Sequence, residues 1–248
     1  MSDAEVITTA LAAILLFSGN FERSRKILKE LNLIPRMLSK SQLNRRIHKL
    51  EDLVCELFVQ FAEVFKESNE SMRYIIDSFP VPVCDNIRIK RCRLVNDESF
   101  RGKIASKRRY FYGVKVQVIT TESGIPVEIA FLPGSAHDTR AFDVLSLDLP
   151  PGSEVYGDSA YTNYTVEDDL MAAEEIVLSP VRKKVSSRQD EYPVRLFKET
   201  MRKRIETSFS EINQLLPRKI HAVTLKGFLM KVYLFVFGFA VNKFLYTT

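Results

Sequence analysis

Cysteine and histidine are both scarce, three of each in 248 residues. The cysteines Cys55, Cys84 and Cys92 are odd in number, and no two have the two-to-four-residue gap of a zinc knuckle. Their simplest reading is as inert thiols in a reducing compartment. His137 is followed by Asp138, but a phosphohydrolase His-Asp site needs several further histidines, and only His48 and His221 remain. Asp138 is better read as a helix N-cap or a positioning group. There is no phosphate-cradling Gly-rich loop, no Gly-x-Ser-x-Gly elbow and no His-Glu-x-x-His helix, which excludes the commonest nucleotide, hydrolase and zinc-protease signatures. Internal repeats and low-complexity tracts are absent too. Uninterrupted membrane-length apolar runs are also missing. Val6 to Phe17 follows acids (Asp3, Glu5) rather than bases, and Gly227 to Leu245 contains Lys231, Gly238, Asn242 and Lys243, so a buried last helix and no membrane partner are expected.

An apolar fraction of 46% can fill a sizeable core at this length, and a net charge of +5 mildly favours an anionic partner. The distribution of that charge is more informative. Residues 84–115 hold ten lysines and arginines against three acids, and residues 180–226 hold twelve against five. Between them, residues 116–179 hold twelve acids and only Arg140 as a base. An acidic middle bracketed by basic blocks suits a cation-binding pocket beside phosphate-binding surfaces.

Up to about residue 70 the pattern is helical. An apolar segment ends at Ser18-Gly19-Asn20, a short charged helix follows to Leu31, and a long helix is expected after Ser39, whose spacing to Gln42 makes a capping box. Its apolar stripe would be Leu43, Ile47, Leu50, Val54, Leu57 and Phe61, with Arg45 and Arg46 off the stripe as candidate DNA-backbone contacts. The period changes at Arg73. A short strand covers 74–79, ended by Pro80 and Pro82. Strands at 110–121 and 125–132 form a hairpin, and 138–147 reads as helix. A strand at 154–157, a helix at 166–173, a strand at 176–179 and a helix from about Leu196 to Leu216 follow. Three hairpin-joined strands followed by alternating helix and strand imply a mixed sheet flanked by helices. The order is that of ribonuclease-H-like α/β domains, here 71–248, behind a small all-helical region, 1–70.

A carboxylate inside an apolar strand is costly without compensation. Asp77 is one such residue, in Tyr74-Ile75-Ile76-Asp77-Ser78-Phe79. Asp158 directly follows the strand at 154–157, where a loop could aim it at the same place. Divalent ions would resolve the repulsion between the two, since Mg²⁺ takes oxygen ligands. Glu206 borders the apolar face Met201, Ile205, Phe209 and Ile212 of a later helix, with Arg202 one turn before it. Taken alone, that pair reads as an ordinary helix ion pair. With the two aspartates, Glu206 completes a set that could hold two metal ions for in-line phosphoryl transfer.

Four ordered motifs carry a resemblance: Ile-Ile-Asp77-Ser-Phe-Pro-Val-Pro-Val-Cys, Gly-Ser-Ala-His137-Asp138, Val-Tyr-Gly-Asp158-Ser-Ala-Tyr and Arg202-x-x-x-Glu206. They resemble the DDE transposases of bacterial insertion sequences, most closely the insertion sequence 982 family, over roughly residues 72–245. The resemblance implies Asp77, Asp158 and Glu206 as catalytic metal ligands, with Asp77 bridging two Mg²⁺ (or Mn²⁺) ions. It also implies terminal inverted repeats and target DNA as partners, a homodimer or larger oligomer on DNA, and a cytoplasmic, nucleoid-associated setting in a bacterium.

This chain has Glu199 and Asn213 where related transposases often carry a tyrosine and a lysine. End-phosphate contacts are therefore expected from Lys183, Lys184 or Arg204, with Arg202 beside the acids. The relatives' N-terminal region is longer than the seventy residues here, which leaves room for a shortened copy. Two rivals stay open: a binding-only remnant or repressor of the element, and another ribonuclease-H-like nuclease such as a junction resolvase.

Overall fold

The computed structural model describes residues 1–85, 89–90, 92–104, 108–217 and 219–247. They divide into two compact units, one of residues 1–61 with 211–248 and one of residues 62–210. The last helix thus groups with the N-terminal helices.

In the first unit, α1 (Asp3–Phe17) opens with a capping box between Ser2 and Glu5, and α2 (Phe21–Glu30) is capped by Asn20. The Ser39/Gln42 capping box starts α3 (Lys40–Lys49), as its sequence pattern predicts. The single long helix expected there is two helices, because the chain breaks at Leu50 before α4 (Glu51–Glu67). The break shifts the phase of the apolar stripe. Leu43, Ile47 and Val54 are buried as expected, but beyond them Phe58 is buried while Phe61 is 36% exposed. The rings of Tyr233 and Phe237, on α7 (Leu225–Thr247), meet Phe58 edge to face. By length and composition α7 could cross a membrane. In this structure it buries Phe228, Leu234, Phe235 and Phe237 instead. A β-carbon on Gly238 would come within 3.0 Å of Ile14, so glycine sets how closely α7 approaches α1.

The second unit is built on a mixed sheet. β1 (Arg73–Asp85) runs antiparallel to β3 (Arg109–Thr121) on one side and parallel to β5 (Glu154–Gly157) on the other. β2 (Arg101–Ile104) and β4 (Pro126–Pro133) both pair with β3, and β6 (Val177–Pro180) extends the sheet parallel to β5. The path is β2-β3-β1-β5-β6, with β4 on β3. The order of antiparallel strands first and parallel strands later is the one the sequence implies.

Two expectations are corrected. Pro80 and Pro82 do not end β1, which continues to Asp85 with an irregularity between Pro82 and Cys84. Parallel pairing with β5 stops at Ile76, so beyond it only the β3 side is paired and an imide nitrogen without a proton is tolerated there. Residues 138–147 form only a short 3-10 turn, Asp138–Asp143; its cap is His137, with no side-chain cap bond, so Asp138 is not the N-cap. Two α-helices complete the unit, α5 (Tyr164–Glu174) and the greater part of α6 (Tyr192–Leu215), which begins four residues before the expected Leu196. The apolar face of α6 is the expected one. Met201, Ile205 and Phe209 are buried, and Phe209 packs on Phe79 with ring centroids 4.9 Å apart.

Candidate active site

β1 and β5 are in register from Arg73 opposite Glu154 to Ile76 opposite Gly157. The residue after each of these is an aspartate, Asp77 within β1 and Asp158 just beyond β5, so the parallel pairing brings the two acids close together at the end of the ladder. Gly157 permits this approach: a β-carbon there would lie 2.8 Å from the side chain of Ile76.

Asp77 keeps some solvent exposure, yet the crowding around its carboxyl removes most of its hydration. That burial pushes its pKa up to about 6, against the pull of the Ser78 N–H and the Arg202 guanidinium, with the Asp158 and Asp138 carboxylates adding to the rise. The Ser78 N–H donates to Asp77 Oδ1 at 2.7 Å, and the Ser159 N–H donates to Asp158 Oδ1 at 2.5 Å. Each acid is thus held by the backbone amide that follows it.

Asp138, read from the sequence as a helix N-cap or a positioning group, is the centre of a network beside Asp77 whose partners the sequence does not reveal. It accepts from the Ser78 hydroxyl at 3.0 Å, Lys115 Nζ at 3.1 Å and Gln117 Nε2 at 3.4 Å. Gln117 is fully buried and accepts at 2.7 Å from the hydroxyl of Tyr161, itself 1% exposed. Burial first, then the nearby Asp77 and Asp138, hold the Tyr161 phenol well above its usual range, so it stays a neutral donor. Tyr161 is therefore a packed, hydrogen-bonded residue. The signal for this network lay in β3, where Lys115 and Gln117 interrupt one face of an otherwise apolar strand.

Glu206 is 56% exposed on α6 and meets Arg202 at 3.4 Å; Arg202 also lies 3.9 Å from Asp158. Arg202 therefore links the third acid to the second, and its buried Nε has no partner among the described residues. Asp77 and Asp158 are brought together directly, whereas Glu206 joins them through a cation. Among the described residues no three acids, histidines or cysteines group closely enough to hold a metal ion.

The remaining candidate contacts differ in their freedom. Arg46 is tied to Asp3, and Arg204 to Glu122 at 2.5 Å. Arg45, Lys183 and Lys184 are exposed.

The family model described as Transposase DDE domain matches residues 67–220, more than half of the chain. None of the curated proteins matches. Among solved structures, one similar chain comes from a cryo-EM structure of a piggyBac transposase synaptic complex with hairpin DNA. It is 12% identical, with 99% of this chain and 66% of that chain covered at a TM-score of 0.47. This chain thus spans just under two thirds of that one.

Proposed function

Because this chain belongs to the transposase DDE domain family, we propose that it is a DNA transposase that nicks the ends of its element and joins them to target DNA by metal-dependent phosphoryl transfer. The observation that carries the mechanism is the adjacency of Asp77 and Asp158 just past the end of the β1–β5 parallel pairing. The strand order, four strands paired antiparallel and then two added parallel to the first, supports a ribonuclease-H-like reading of the sheet.

The donor set fits a divalent cation: two hard oxygen ligands side by side, one of them made reluctant to ionise by burial and by its neighbours. Asp77 and Asp158 would hold the ions, with Glu206 the third acid on the family's pattern and two ions, Mg²⁺ or Mn²⁺, as the complement. When bound, such ions activate a water or a DNA 3′-hydroxyl and stabilise the leaving oxygen of an in-line displacement. The chain's own residues orient the acids. The Ser78 and Ser159 amides fix one oxygen of each aspartate. Lys115 pairs with Asp138 behind them, which limits the negative charge facing Asp77. Arg202 holds a positive charge beside Asp158, placed to meet a phosphate oxygen.

On this reading the partners are the terminal inverted repeats and target DNA, gripped by exposed bases such as Arg45, Lys183 and Lys184. The assembly is at least a dimer on DNA, and the setting is the cytoplasm of a bacterium carrying an insertion sequence 982 type element. The test is Mg²⁺-dependent nicking of a duplex bearing the inverted repeats that flank the gene. Wild type is expected to nick at the repeat ends and Asp77→Asn to fall to background. Equal activity in the two would overturn the reading.

One observation favours a second reading. Among the described residues Arg202 pairs with Glu206 in place of a three-acid cluster, which is compatible with a remnant or repressor that binds DNA without cutting it. Repeat-specific binding with no Mg²⁺-dependent cleavage would select it.

A further inference from the structure

The segment 181–191, between β6 and α6, is anchored along its length. It leaves the sheet beside the active site, since the Val181 N–H donates to the Gly157 carbonyl, one residue from Asp158, at 2.9 Å. Glu167 on α5, with its side chain only 5% exposed, receives both arms of Arg182 at 2.7 and 2.8 Å and one arm of Arg188 at 3.2 Å. Arg188 also reaches Asp168 at 2.7 Å. Both guanidinium groups lie against the ring of Tyr164, 5.6 and 4.8 Å from its centroid, and the Tyr164 hydroxyl shares a 2.6 Å hydrogen bond with Ser186. The amide of Gln189 donates to the carbonyls of Lys183, Lys184 and Ser186 at 3.4, 2.8 and 2.7 Å. At the far end, buried Lys198 pairs with Asp190 at 2.6 Å.

This scaffolding leaves Lys183, Lys184 and Val185 pointing into solvent. Val185 is 90% exposed, and neither lysine has an acidic partner among the described residues. Ordering a backbone residue costs conformational entropy. Here that ordering is completed on folding, so a ligand that meets the tip does not bear it again. Two unpaired lysines match two phosphates, and an apolar side chain beside them fits the floor or base edges of a narrow groove.

We propose that residues 183–185 form a preformed DNA-gripping tip. Lys183 and Lys184 contact backbone phosphates, and Val185 lies in the minor groove of the duplex presented to Asp77 and Asp158. The proposal rests on the transposase reading and adds to it the element that grips the duplex near the cut.

The test uses the whole 248-residue chain and a fluorescein-labelled mixed-sequence duplex, with affinity measured by polarisation across a salt series. The double variant Lys183→Ala with Lys184→Ala is expected to flatten the slope of log affinity against log salt by about two, roughly one unit per lost phosphate contact. Val185→Ser is expected to leave the slope unchanged and weaken binding roughly tenfold, the low end of the loss expected for one buried aliphatic side chain. Gln189→Ala keeps both lysines and Val185 but frees the carbonyls that shape the tip; it too should weaken binding at unchanged slope, while thermal unfolding confirms an intact fold. An unchanged slope in the double variant, or a neutral Val185→Ser, overturns the proposal. Asp77→Asn separates the two readings, because it leaves the tip intact. Its loss of cleavage beside an unchanged slope in the double variant sinks the tip alone, whereas a wild type that binds no duplex sinks both.

Discussion

The hydroxyl of Ser78 donates to Asp138 at 3.0 Å while the N–H of the same residue holds Asp77 at 2.7 Å. One serine thus spaces two carboxylates on adjoining elements, with Asp158 close on the other side. Three acids in one small volume repel each other, and the raised pKa of Asp77 reports part of that repulsion on top of its burial.

A pH dependence follows from this arrangement. The Asp77 pKa is about 6 in the folded chain against 3.8 for a free carboxyl, so the unfolded chain releases the proton first as pH rises. The stabilising contribution of protonated Asp77 is complete below about pH 4, declines between about 4 and 6, and is gone above. The shift corresponds to about 3 kcal/mol. In chelator, Asp77→Asn should therefore raise stability at pH 7 by up to that amount, with the gain disappearing near pH 4, as read by urea unfolding at the two pH values. A gain of equal size at both would remove the titration from the account.

The close approach of β1 and β5 depends on Gly157. In Gly157→Ala the added carbon would meet Ile76 Cγ2 at 2.8 Å and Tyr161 at 3.3 Å, and the strands must part. A loss of about 1–3 kcal/mol is expected, together with a marked fall in cleavage, because Asp158 is the next residue. Denaturant melts alongside a nicking assay check both, and full activity in a destabilised variant would show that the spacing is not critical.

Glu206 separates a structural role from a chemical one. Its contact with Arg202 is solvent-exposed, and such pairs contribute about 0–1 kcal/mol. Glu206→Gln should leave the melting temperature nearly unchanged while abolishing Mg²⁺-dependent cleavage. Retained cleavage would remove Glu206 from the metal ligands and point to a two-aspartate site.

Much of this was legible before any coordinates. Asp77 announced itself as a charge in an apolar strand, and the Ser39/Gln42 box marked a helix start. What stayed hidden depends on pairing. Neither Asp77 nor Asp158 reveals that they share a register, and Pro80 and Pro82 look like terminators unless one knows that β5 has already stopped. The break at Leu50 was invisible because the apolar spacing continues across it, although the buried stripe then passes through Phe58. Asp138 reads as either a helix cap or a positioning group, because its partners Ser78, Lys115 and Gln117 come from two strands distant in sequence. Arg46 and Arg204 looked free for DNA, since the acids that neutralise them, Asp3 and Glu122, lie far away along the chain.

The most direct measurement is a Mn²⁺ titration followed by electron paramagnetic resonance on the metal-free protein. If Asp77 and Asp158 jointly ligate the cation, wild type will remove Mn²⁺ from the free-ion signal and either Asp77→Asn or Asp158→Asn will weaken that uptake at least tenfold. Uptake in both variants indistinguishable from wild type would contradict it.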